Sequence, residues 1–148
     1  MDSEIIKKIE NYCSYQERCK KEVVEKLFKL NVDPLKVDDI INYLNKNNYL
    51  NEERYVKLFI QGKLRIKKWG KIKLKYELKI RGIDKNIIHA CINEISDTDY
   101  ISYFNEFSMS KIKSLKGNQA KKKRSFINYF SYRGWENDLI YKKIKEIN

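Results

Sequence analysis

Apolar positions in this chain fall into three sets with matching spacing. Val23 and Leu27, Leu74 and Leu78, and Phe126 and Phe130 form three pairs, each four residues apart. Each pair precedes a residue suited to stop a helix, namely Asn31, Gly82 or Gly134, and these anchors lie 51 and 52 residues apart (82−31 and 134−82). Beyond the anchors come Val37, Ile41 and Leu44, then Ile88, Ile92 and Ile95, then Ile140, Ile144 and Ile147. Spacings of i, i+4 and i, i+4, i+7 gather side chains on one face of an α-helix. Recurrence at about fifty residues marks an internal repeat.

The anchors have a physical rationale. The residue just past a helix C-terminus often adopts a left-handed conformation, which Gly, and after it Asn, tolerates best. Asp33 and Asp84 follow two residues later as caps for the next helix, and Pro34 stands at a first helical position, where its missing N–H does no harm. The third repeat has Glu136 and Asn137 at that point. Each repeat also has a leading helix. In the second it begins near Asn51 and carries Tyr55, Phe59 and Ile60; in the third it begins near Asp97 and carries Tyr100, Ile101 and Phe104. In the first it is a short piece holding Ile5, Ile6, Ile9 and Tyr12. Tyr55/Phe59 and Tyr100/Phe104 are offset by 45 rather than 52, which places about seven extra residues around Lys116-Gly117-Asn118-Gln119. The segment Lys71–Ile80 alternates polar and apolar residues, locally a strand pattern, but the repeat register assigns it to a helix. The pattern therefore predicts an all-α fold of three tandem three-helix repeats, over residues 1–50, 51–95 and 96–148.

Composition agrees, since hydrophobic residues make up 42% of the chain and a single proline is present, so the chain can bury a core and has few helix breakers. Charge changes the picture more. The net charge of +12 suits phosphate backbones, acidic protein grooves or anionic lipid. It is unevenly placed: residues 1–50 carry 9 Lys+Arg against 9 Asp+Glu, residues 51–95 carry 12 against 5, and residues 96–148 carry 11 against 6. Between Glu53 and Glu77 there is no acid, while Arg54, Lys57, Lys63, Arg65, Lys67, Lys68, Lys71, Lys73 and Lys75 accumulate. Like charges three and four residues apart repel, and an anionic partner relieves the repulsion; a solvated face is the plainer reading. Trp69 lies inside this block, placed to stack on a base, fill a partner pocket or pack between helices. A second basic run, Lys121, Lys122, Lys123 and Arg124, opens the middle helix of the third repeat, where a docked phosphate would offset the opposing helix dipole.

Catalytic and metal chemistry lack their parts. His89 is the only histidine, read as a partly buried structural residue beside Ile88 and Ile92, and there is no GxSxG, HExxH or P-loop pattern. Cys13, Cys19 and Cys91 lack metal-site spacing and are read as free thiols in a reducing cytoplasm. No apolar run is long enough to span a membrane, and the acidic start, Met1-Asp2-Ser3-Glu4, is unlike a secretory signal. The expectation is a non-enzymatic, cytoplasmic monomer without a cofactor.

Cys13-Ser14-Tyr15-Gln16-Glu17-Arg18-Cys19-Lys20-Lys21-Glu22-Val23 resembles the opening signature of the RecX family of recombinase regulators. Tyr49-Leu50-Asn51-Glu52-Glu53-Arg54-Tyr55 is similar to the family's join between first and second repeats, and the likeness continues through Arg65, Trp69-Gly70, Glu77-Leu78 and Arg81-Gly82-Ile83. It covers roughly residues 10–95, and the last third fits through the repeat pattern. Two positions depart from it: Cys19 stands where a capping Ser is usual, and Lys71 where Pro is common. The resemblance implies an elongated, curved body lying in the groove of a RecA filament, whose ATP hydrolysis and strand exchange it restrains. The basic residues named above, with Trp69, are then the expected contacts to recombinase and to single- or double-stranded DNA. The alternative is a stand-alone basic helical module that binds DNA without a recombinase.

Overall fold

The computed structural model describes residues 2–148, and among these it is all-α, with nine α-helices, a terminal 3-10 turn and no strand. They are α1 Ser3–Tyr15, α2 Lys20–Lys29, α3 Pro34–Lys46, α4 Glu52–Arg65, α5 Lys71–Ile80, α6 Lys85–Asn93, α7 Asp97–Ser114, α8 Gln119–Tyr132 and α9 Asn137–Lys143. The three anchors end helices as expected, with φ of +61° at Asn31, +73° at Gly82 and +81° at Gly134. Asp33 accepts a hydrogen bond from Leu35 N at 3.0 Å and Asp84 from Asn86 N at 2.7 Å, so both satisfy N–H groups left free at helix starts. Cys19 opens α2 in place of an oxygen cap; there Glu22 Oε1 reaches back to accept from Cys19 N at 3.0 Å.

Lys71–Ile80 is helical despite its alternation. Leu74 and Leu78 are fully buried, whereas Ile72, Tyr76 and Ile80 are exposed on the outer side. Two apolar stripes interleaved with lysine on a helix mimic a strand pattern in sequence. The leading helix of the first repeat is longer than a short piece, at 13 residues. The extra residues of the third repeat do not form a long loop. Relative to α4 and α5, they add four residues to the end of α7 and four to the start of α8, and the intervening loop is one residue shorter. His89 is exposed, not partly buried, because Ile88 and Ile92 hold the inward face of α6 and the next position turns outward. Ile101 likewise faces solvent, beside the buried Tyr100.

The chain separates into two compact units, residues 1–59 with 78–88, and residues 60–77 with 89–148. The first is centred on Ile9, Cys13, Val23, Leu27, Val37, Ile40, Ile41 and Leu44, contributed by α1, α2 and α3. Its cysteines are free and buried, and burial pushes the Cys13 thiol up to about 11. Arg54 closes the loop before α2 onto α4 by a charge-assisted bond from Nε to Glu17, at 2.6–2.7 Å.

Aromatic rings make the core of the second unit. Phe104, Phe126, Phe130 and Trp135 are essentially fully buried, with Tyr100 stacked on Trp135 at 4.7 Å between ring centres and Phe104 5.2 Å from both Phe130 and Trp135. Here the loop before α5 meets the turn between α8 and α9, backbone on backbone. Gly70 N donates to Arg133 O at 2.8 Å, Ile72 N to Gly134 O at 3.1 Å, and Trp135 Nε1 to Lys68 O at 2.8 Å. Tyr100 Oη accepts from Lys71 N at 2.9 Å and donates to Glu136 at 2.5 Å. A proline at Lys71 would forfeit the first of these bonds, which gives the departure from the family pattern a local reason. Glu136, expected as a cap, is used by Tyr100 instead and makes no side-chain cap bond.

A methyl group at Gly70 would lie 2.5 Å from Gly134 O, and one at Gly134 would collide with the backbone nitrogen of Lys73. Gly82 shares the positive φ but has open space around it. Gly82→Ala should therefore cost about 1–2 kcal/mol of backbone strain, and Gly134→Ala clearly more, since overpacking adds about 1–3 kcal/mol. Urea titration of the two variants side by side checks the order; equal losses would contradict the close approach.

Tyr100 has its pKa raised, first by burial and next by its hydrogen bond to Glu136. A raised folded-state pKa gives stability that is complete below the group's ordinary value, 10.0 for Tyr and 9.0 for Cys, and is lost as pH rises through the folded value. The urea midpoint should thus stay level to about pH 8.5 and fall above about pH 9. Tyr100→Phe should lower stability at pH 7 by about 1–3 kcal/mol, because it strands Lys71 N–H and Glu136, and should flatten the fall above about pH 10.

Candidate functional site

Charge divides unevenly between the two units, as it does along the sequence. The second unit holds 18 Lys+Arg against 8 Asp+Glu, net +10, and the first holds 14 against 12, net +2. Twelve of the fourteen residues expected as contacts lie in the second unit, all but Arg54 and Lys57.

Within that unit the loop between α4 and α5 gathers several of them. Lys68 takes a φ of +61°, which turns the chain so that Trp69 comes to lie half-buried beside both helices. Lys63 Nζ from α4 sits 5.1 Å from the Trp69 ring centre, and Lys73 Nζ from α5 sits 4.9 Å from it. Lys73 Nζ is also 4.2 Å from the ring of Tyr132, at the end of α8. The result is an aromatic–cation–aromatic cluster in which Lys73 bridges Trp69 and Tyr132, and Tyr132 is 74% exposed. Cations held against ring faces keep their charge near the surface while their stems are ordered by packing. Such a cluster offers ammonium groups to an anion and a ring face to a planar group.

The remaining residues fall into three kinds. Arg65, Lys67 and Lys75 are exposed on the same unit, Lys75 on the side of α5 turned away from Lys73. Lys71 and Lys68 lean on core rings, with Nζ 4.4 Å from the centre of Tyr100 and 5.5 Å from that of Phe107 respectively. In the first unit, Arg54 is paired with Glu17, and Lys57 lies 3.0 Å from Glu53. On α8, Asn118 caps the helix start by accepting from Lys121 N at 2.8 Å, and Lys122 Nζ reaches the main-chain oxygen of Asn148 at 3.3 Å. Lys121 and Arg124 are exposed there, and Lys123 is half-buried.

Tyr132 was not singled out by sequence reasoning. Its periodic signal is that it lies two residues past Phe130, off the core face of α8, next to the stop at Gly134. Trp135 was also missed, although the repeat marks it: it follows Gly134 as Val32 follows Asn31 and Ile83 follows Gly82, and each of the three donates its N–H to the carbonyl five residues back. Among the described residues no group of three His, Cys, Asp or Glu is placed to hold a metal ion, and no helix is long and apolar enough to cross a membrane.

A family model described as RecX, second three-helix domain, matches residues 51–92. The regulatory protein RecX of Clostridium acetobutylicum is 30% identical over 135 residues, covering 88% of this chain and 62% of that protein. The regulatory protein RecX of Acinetobacter baylyi is 30% identical over 132 residues, covering 89% of this chain and 80% of that protein. The crystal structure of RecX from Lactobacillus salivarius matches with a TM-score of 0.78 at 25% identity, over 98% of this chain and 95% of that one. The chain thus spans somewhat under two thirds of the Clostridium relative and four-fifths of the Acinetobacter one. With the repeat spacing, the helical stops and these likenesses in agreement, the chain belongs to the RecX family of regulatory proteins.

Proposed function

We propose that this chain regulates a RecA-type recombinase by binding its nucleoprotein filament and restraining ATP hydrolysis and strand exchange. The observation that carries the reading is the net +10 of the second unit, with Lys63 and Lys73 held beside Trp69, Lys73 also beside Tyr132, and Arg65, Lys67 and Lys75 exposed on the same unit. Family membership supplies the class of partner. In this reading the protein acts as a cytoplasmic monomer without a cofactor. Its repeats are residues 1–50, 51–95 and 96–148, and the basic parts of the second and third meet filament and DNA phosphates. Arg54 and Lys57, held by Glu17 and Glu53, serve the fold before they serve the partner. Lys121, Lys122, Lys123 and Arg124 form a secondary contact.

The test is the ATPase rate of the cognate recombinase on single-stranded DNA as the protein is titrated in. A fall at amounts well below one per recombinase monomer supports the reading. Reversing Arg65, Lys67 and Lys75 to Glu should raise the amount needed by on the order of tenfold, because phosphate contacts dominate such affinities. Thermal unfolding of that variant should be unchanged, since exposed substitutions away from special contacts shift stability by only about 0.5 kcal/mol. Tyr132→Ala should weaken inhibition by about 1–3 kcal/mol if a base stacks there. A stand-alone DNA-binding module predicts the opposite pattern: no effect on ATPase over a saturated filament, and tight binding to naked DNA that weakens steeply with salt.

A further inference from the structure

The first unit carries its own cationic cleft, hidden in sequence by a local balance of charge. The end of α1, the loop at residues 16–19 and α2 enclose an open cleft of about 420 Å³, lined by Lys8, Tyr12, Tyr15, Arg18, Lys26 and Leu30 among others. Arg18 lies over the Tyr12 ring at 3.7 Å from its centre, and its Nε donates to Tyr12 O at 3.0 Å. These two contacts fix the guanidinium plane while its Nη groups make no hydrogen bond among the described residues. Lys26 Nζ approaches the same ring at 5.4 Å. Among the described residues no carboxylate lies within 4.0 Å of Lys8, Arg18 or Lys26.

The nearby acids have partners of their own. Glu17 binds Arg54, Glu22 accepts from Cys19 N, and Glu10 accepts from Tyr43 Oη at 2.7 Å. So residues 1–50 sum to zero charge while three cations converge on one cleft without a matching carboxylate. We infer that this cleft is a docking site for a short acidic peptide segment of a partner protein, in which two or more carboxylates flank an apolar side chain. A forked guanidinium held in a fixed plane suits bidentate carboxylate binding. Tyr12, Leu30 and the 84% exposed Tyr15 offer apolar contact beside it. A long polyanion is less well served, because this unit has a net charge of only +2 and its long-range field is weak beside the +10 of the second unit.

The full chain is titrated into a fluorescein-labelled hexapeptide of four glutamates and two leucines, read by anisotropy. Lys8→Glu with Lys26→Glu should weaken binding by at least about tenfold. Arg18→Lys, which keeps the charge but loses the fork, should weaken it about threefold or more. The Arg65, Lys67 and Lys75 reversal should leave it within about twofold. Three results overturn the proposal: no binding by the wild-type chain at about 1 mM, unchanged binding by the Lys8/Lys26 variant, or displacement of the peptide from the Arg65/Lys67/Lys75 variant by oligothymidylate. The last would assign the cleft to nucleic acid.

Discussion

Backbone packed directly on backbone at Gly70 and Gly134 is the constraint from which the geometry of the second unit follows. Neither residue can carry a side chain there, and the main-chain bonds between Gly70, Ile72, Arg133 and Gly134 fix where α5 begins relative to the turn after α8. Trp135 seals the joint by donating to Lys68 O, which holds a non-glycine residue at positive φ. That turn at Lys68 in turn places Trp69 between Lys63 and Lys73. The proposed contact surface is therefore a by-product of a core joint, and Tyr132 belongs to it because α8 ends at the same place.

Much of this was legible in the sequence, for identifiable reasons. Asn31, Gly82 and Gly134 mark their helix ends because left-handed stops demand few residue types. The pairs at Val23/Leu27, Leu74/Leu78 and Phe126/Phe130 are wholly buried because spacing alone selects a helix face. The rest depends on tertiary partners. The seven extra residues of the third repeat were placed in a loop, since Gly117 and Asn118 suggest one, yet they lengthen α7 and α8 and the loop itself is shorter. The exposure of His89 is a matter of one helical position, a margin that apolar spacing on α6 does not resolve. Trp135 stands at the apolar position after each anchor, with Val32 and Ile83, but its bond to Lys68 O depends on a loop distant in sequence and is not legible there.

Charge shows the same limit from another side. Counting along the chain finds the basic block of the second repeat, but it also returns zero for residues 1–50, where the cations of the Arg18 cleft and the acids paired elsewhere cancel on paper. Net charge is a statement about distance: it governs what a unit attracts from afar, while pairing geometry governs what it can grip. The two units differ on both counts, one with a strong field and clustered rings, the other with a weak field and a fixed guanidinium.

The doubled apolar face of α5 matters before the helix exists. In a chain emerging or unfolded, Lys71–Ile80 has the alternation of a strand, with Ile72, Leu74, Tyr76, Leu78 and Ile80 all on one side of the pleat. Such a segment is a template for edge-to-edge pairing between chains. The opposite side, however, is Lys71, Lys73, Lys75, Glu77 and Lys79, and stacking copies in register would bring like charges within a strand spacing of one another. The lysines of this segment thus also act as gatekeepers against self-association, so exchanging them for neutral residues would weaken the proposed contact surface and leave an aggregation-prone nascent chain.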